Sequence, residues 1–530
     1  MKRAPHRLVE SYEKQLQPAE VAFHRAYWDS QVEATPVNEQ KRSELELEVR
    51  RLKGDSSVLD EVTAALEEAI HEPILKRQLE VMRLSLTANQ MDEERRTQIV
   101  ELSSAVESEF ASFRVEIDGG RLTENEVNEI LKTSADVEER RRVYLGSKAV
   151  GRKMGSRIRE LARLRNSVAL EMGFSDFYRM GLELQEISED WLFGLFDELE
   201  SLTATPFRTW KDGLDERLKK RFGTDDLMPW HYGDPFFQNL PPDGGIDIDG
   251  FFKGKDASEL AKATFAAWGI DVSGVLQRSD LYPREMKSQH AFCLDIDRTG
   301  KDVRILGNIV EGERWTEVIL HESGHAAYDV SIDPHLPYLL RRAAHTFVTE
   351  AIAILSGRLV RDPEWLATLG GVDKTEVAPI EDELRRASAI QSLLFARWVL
   401  VMTHFERELY SDPEADLDAT WWEFVERFQF LTPPDEGAEG AWASKIHIAA
   451  APVYYHNYLL GELLASQLET TAQRRFGKLV GASEVGDWLK REMFSKGSSM
   501  RWDRLIESVI DGPLTAVDFA VQVTSGSAPA

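Results

Sequence analysis

The first 220 residues are dominated by apolar positions three and four apart among charges, the period of helices with one buried face. ELELEVRRLK, SSVLDEVTAALEEAIHEPILKRQLEVMRLSL and MDEERRTQIVELSSAVESEF carry it most clearly. The first irregular stretch is TDDLMPWHYGDPFFQNLPPDGGIDIDG, residues 224–250, rich in Pro, Gly and Asp; it reads as a boundary or as a loop lining a cleft. Helical spacing resumes at DASELAKATFAAWGI. HAFCLDID and KDVRILGNIV then flank an RTG turn, predicting a short β-hairpin near residues 290–310. Beyond it the pattern is helical almost to the end, where the polar VTSGSAPA is expected to fray. This predicts a mainly α protein with a very small β-element.

Length allows one large domain or two subdomains, with no need of a disulfide or structural metal to fold. We expect residues 1–250 as a helical region and 251–530 as a second. The formal charge of -27 argues against nucleic acid or anionic lipid as a partner, since both are polyanions. Locally the balance differs: GRKMGSRIRELARLRNSVALEMGF is basic, and reads as a solvated helix face rather than an anion site. The single cysteine, Cys293, excludes an intrachain disulfide and reads as a small buried hydrophobe. MKRAPHRLVESYEKQL has no apolar core and is not read as a secretory signal, and AIAILSGRLV is too short to span a bilayer. The expectation is a cytoplasmic protein that does not associate with membranes, its oligomeric state open.

Candidate chemistry lies in ERWTEVILHESGHAAYDV. On a helix His321 and His325 share one face, so both imidazoles reach one metal, while Glu322 beside them is placed to take a proton from a metal-bound water. Trp315, Val318 and Ile319 supply packing, and Gly324 is expected to leave room for metal or substrate. A catalytic zinc needs a third protein ligand. Glu350, in HTFVTEAIAILSG, stands among apolar neighbours where an unpaired carboxylate is costly, and completes a His2Glu set.

Four blocks in residues 289–463 then carry a resemblance: HESGHAAYD with Glu350, QHAFCLDID, WWEFVERFQFLTPP, and KIHIAAAPVYYHNYLLGE. In this order the chain resembles the angiotensin-converting-enzyme-like zinc metallopeptidases and their thimet-type oligopeptidase relatives. The first half matches only in being helical, apart from echoes in RNSVALEMGF and MPWHYGD, and no functional residue is carried over from it. The resemblance implies a helical ellipsoid split by a deep cleft, one zinc ion per chain at its floor, and N-terminal helices forming a lid and one wall, admitting short peptides.

It also implies roles. Tyr458 matches the transition-state tyrosine, with His447 beside it. His290 holds a substrate carbonyl, backbone groups of Ala291 and Cys293 pair with an extended peptide, and Lys445 and Tyr455 grip a terminal carboxylate. Three departures stand out: Ile354 replaces an Asp that orients a metal histidine, Asn457 replaces a chloride-binding Arg, and the His447–Pro452 spacing is one residue short. The implied activity is release of C-terminal dipeptides. A thimet-type oligoendopeptidase and a catalytically silent helical binding protein are the alternatives.

Overall fold

The computed structural model describes residues 4–69, 71–241 and 245–525. Residues 242–244 of the Pro/Gly/Asp-rich stretch and 526–530 of the polar tail lie outside them. The architecture is mainly α. The elements used below are α1 (Pro5–Val32), α2 (Val137–Glu171), α3 (Glu189–Phe222), α4 (Glu313–Val330), α5 (Thr346–Arg358), α6 (Glu381–Ser411), α7 (Leu417–Gln429) and α8 (His456–Phe476). The strands are β1 (Val115–Ile117), β2 (Gly120–Leu122), β3 (Phe292–Asp295) and β4 (Val303–Leu306).

Two compact units emerge, and neither is a continuous stretch of chain. One comprises Met1–Gln90, Asp247–Glu381 and Leu460–Thr515; the other comprises Met91–Ile246, Asp382–Leu459 and Ala516–Ala530. The passage between Ile246 and Asp247 falls within the Pro/Gly/Asp-rich stretch.

In the first unit, α1 starts on Pro5, whose missing N–H costs nothing in a first turn. Leu8, Tyr12 and Leu16 of α1 share a core with Leu75, Leu79 and Met82 of Pro73–Thr87 and with Tyr338 and Leu339. The predicted hairpin is present, with Phe292 opposite Leu306 and Asp295 opposite Val303. Its turn is held by the Asp295 carboxylate, which accepts from the N–H groups of Arg298 and Gly300, both at positive φ. Arg298 in turn meets Glu20 of α1 at 2.9 Å, and Lys53 meets the same buried carboxylate at 2.6 Å. Leu306 and Ile296 pack on Trp28 of α1.

In the second unit, α2 begins at Asp136, whose carboxylate accepts from Glu138 and Glu139 N–H. The helix α3 begins at Ser188 and ends at Gly223 in the left-handed conformation. A second hairpin, β1–β2, was not anticipated; Asp118-Gly119 forms its turn. The basic stretch 151–174 is a correction. Arg165 is buried, donating to the Ala449 carbonyl at 2.6 Å and the Tyr410 hydroxyl at 3.0 Å, so that face is not wholly solvated.

Candidate metal and peptide site

The metal candidates sit on two helices that approach closely. A Cβ on Gly324 would lie 2.7 Å from Ala353 Cα, so the glycine lets α4 and α5 touch. This corrects its expected role: Gly324 makes room for a helix, not for metal or substrate. The start of α4 is fixed from outside, because Asp249 accepts the Glu313 N–H at 2.8 Å and a Cβ on Gly312 would meet the same carboxylate at 2.6 Å. Asp249 belongs to the Pro/Gly/Asp-rich stretch, which thereby caps the metal-bearing helix. At α5, His345 Nδ1 accepts the Phe347 N–H.

On this frame His321 Nε2 lies 3.6 Å from one Glu350 oxygen and His325 Nε2 lies 3.9 Å from the other. The three ligand atoms lie within 4.8 Å of one another. Tetrahedral zinc with bonds near 2.0–2.1 Å has ligand–ligand edges of about 3.4 Å, so the donor set fits with small closure. Burial pushes His321 down to about 4; burial, then His321, pushes His325 down to about 3. Both imidazoles are therefore neutral, the form that binds metal. The far nitrogen of His325, Nδ1, lies 2.8 Å from Thr349 Oγ1. Ile354, where an Asp was expected from the family pattern, instead faces Gly461, where an added Cβ would come within 3.0 Å of Ile354 Cδ1 and 3.1 Å of Glu350 Cβ. Arg358 of α5 ion-pairs with Glu462 and reaches Ser466 at 3.2 Å, docking the C-terminal part of α8 on the metal helix.

Glu322 is buried, and its carboxyl is pushed up to about 8 by burial and then by the charge of Glu350. The backbone N–H of Cys293 hydrogen-bonds it, placing β3 against α4. The Cys293 thiol is pushed well up by burial. Ala291 is half-buried just before β3, and His290 is exposed beside it.

The remaining candidates lie in the second unit. His447 opens a short helix, His447–Ala450, and its ring stands 5.3 Å from that of Tyr455. Tyr455 is buried, its hydroxyl accepting from Trp398 Nε1 at 2.8 Å, while Tyr458 is half-buried in the first turn of α8 with its ring 5.3 Å from Tyr455. Between His447 and Tyr455, Val453 adopts φ +52, a strained conformation for a β-branched residue. Glu406 accepts its N–H at 2.7 Å and Gln185 Nε2 donates to its carbonyl at 2.9 Å. Gly181 leaves space for its side chain. Asn457 donates to Gln185 and to the Tyr454 carbonyl, a neutral arrangement.

Lys445 Nζ is 3.3 Å from Gln238 Oε1 and 5.0 Å from the Phe236 ring centroid. Burial lowers its pKa. Gln238 was missed, although the MPWHYGD echo ends four residues before it. Its loop is built by Asp234, which accepts from Phe236, Gln238 and Asn239 N–H, and by Gln429 of α7, which donates to the carbonyls of Phe236 and Phe237. The Trp-Trp…Gln segment is thus scaffold for the loop.

Residues 2–202 match the family model described as angiotensin-converting enzyme, and residues 274–515 match that of peptidase family M3. Together the two matches support an angiotensin-converting-enzyme-like and M3 family of zinc metallopeptidases. No individual curated protein matches the sequence. The first match corrects the reading of the N-terminal half, which carries family resemblance as well as helicity. The two family matches support zinc-dependent peptide hydrolysis, and the His/Glu cluster of α4 and α5 is the candidate metal site.

Proposed function

We propose that the protein is a cytoplasmic peptidyl-dipeptidase that shortens small peptides from their C-termini, holding one zinc per chain on His321, His325 and Glu350. The observation that carries the exopeptidase part is Lys445: a half-buried ammonium hydrogen-bonded to a neutral amide, Gln238, and in no ion pair with a carboxylate among the described residues. Such a cation favours an incoming carboxylate.

When bound, zinc supplies Lewis acidity, activating water and polarising the scissile carbonyl. Glu322 accepts the proton of the attacking water and returns it to the leaving amine. Tyr458 and His447 donate to the developing oxyanion. His290 and the backbone of Ala291 and Cys293 receive the substrate main chain in extended form; the Cys293 N–H exchanges its bond to Glu322 for one to the peptide. With Asn457 neutral, chloride does not activate the enzyme.

An oligoendopeptidase is the second reading, favoured by the M3 match over residues 274–515. Peptides with free and amidated C-termini separate the two. Amidation abolishes cleavage by a peptidyl-dipeptidase; unchanged cleavage of the amides establishes the endopeptidase.

A further inference from the structure

A metal-binding imidazole is useful only if its metal-facing nitrogen carries the lone pair, and in a neutral ring the other nitrogen then carries the proton. His325 directs Nε2 toward Glu350 Oε1 and Nδ1 toward Thr349 Oγ1, at 2.8 Å. Ile354, one turn further along α5, offers only carbon. From this geometry we infer that Thr349 is the positioning residue that fixes the tautomer and ring orientation of His325.

The arrangement uses one helix twice. Thr349 and Glu350 are consecutive on α5, so the same turn supplies a carboxylate to the ligand set and an acceptor to the ligand on α4. Close approach at Gly324 keeps both contacts in register. A hydroxyl differs from a carboxylate in one respect that matters. It orients the imidazole without adding negative charge behind it, so Glu350 is the only anionic ligand in the cluster. The ring is less basic than one backed by a carboxylate, and holds its metal less tightly.

The inference rests on zinc occupying the His/Glu cluster, and the test keeps the two apart. Thr349→Ser and Thr349→Ala both remove the methyl group and differ only in the hydroxyl. Zinc affinity of the full chain is measured by competition with a chromophoric chelator, alongside the absorption spectrum of the cobalt-substituted protein and the melting temperature without metal. We expect Thr349→Ser to stay near wild type and Thr349→Ala to bind zinc about tenfold or more weakly. The cobalt spectrum should be altered in the alanine variant alone, with equal metal-free melting for the pair. Equal zinc affinity and equal spectra for serine and alanine overturn the role of Thr349. Wild-type protein that takes up no zinc overturns the metal reading instead.

Discussion

The two polar clusters hold their groups by opposite means. The metal candidates sit on regular helices: their first turns are capped, His321 and His325 lie one turn apart on α4, and the close contact of α4 and α5 at Gly324 brings Glu350 to them. The tyrosine cluster is set by the irregular residues 451–455 between two helices, where Val453 is strained and Glu406, Gln185 and Arg165 hold the backbone around it. Regular geometry needs few supports and tolerates no change of spacing. The irregular loop holds a strained residue, and needs a buried clamp to do so.

The sharpest break in this comparison is Tyr458→Phe. If its hydroxyl acts on the oxyanion, kcat falls about a hundredfold or more with KM little changed, as expected for loss of one such donor. Tyr455→Phe should instead raise KM, and should lower the melting temperature because Trp398 Nε1 loses its acceptor. A kcat effect at Tyr455 rather than Tyr458 means the loop carries the alignment one step away from the register proposed above.

The next effect tests how the metal-bearing unit is tied to its N-terminal helices. Burial alone would raise the Glu20 carboxyl, but Arg298 and Lys53 outweigh it and hold the group at about 2 against an ordinary 4.5. A depressed pKa contributes stability above the unfolded value, lost as pH falls from 4.5 toward 2; the difference is worth about 3 kcal/mol. Wild-type stability measured by denaturant unfolding should therefore drop more steeply than that of Glu20→Gln across this window. Parallel pH profiles contradict the ion-pair account.

Smaller, and most direct for the comparison, is a pair of glycine substitutions. Gly324→Ala sets a Cβ 2.7 Å from Ala353 Cα, and Gly181→Ala sets one 2.9 Å from Val453 Cβ. Each should cost about 1–3 kcal/mol by overpacking. Gly324→Ala should also weaken zinc binding, whereas Gly181→Ala should keep its zinc and lose turnover. Zinc content and peptide hydrolysis measured on both proteins decide whether the clusters are separable.

Legibility followed the same divide. His321, Glu322 and His325 were readable because helical spacing converts sequence distance into spatial distance, and Glu350 because a carboxylate among apolar neighbours needs a partner. The β3–β4 hairpin was readable from alternating residues around a turn. Thr349 was not, since a threonine beside a ligand has no period to announce it. Gln238 and the Val453 clamp depend on tertiary contacts between Met228–Leu240, Gly181–Gln185 and Glu406, which no local pattern encodes. The β1–β2 hairpin was missed despite its Asp-Gly signal, because its strands are three residues each. Gly324 was misread because a glycine beside ligands suits a metal, a substrate or a neighbouring helix equally well in sequence.

The central claim is that α4 and α5 hold zinc while Glu322 moves the proton. It is tested most directly by peptide turnover of Glu322→Gln protein whose zinc content has first been shown to equal that of wild type. The account predicts about one zinc per chain and a turnover loss of roughly 10²–10⁴-fold. Near-wild-type turnover at full zinc occupancy would contradict it.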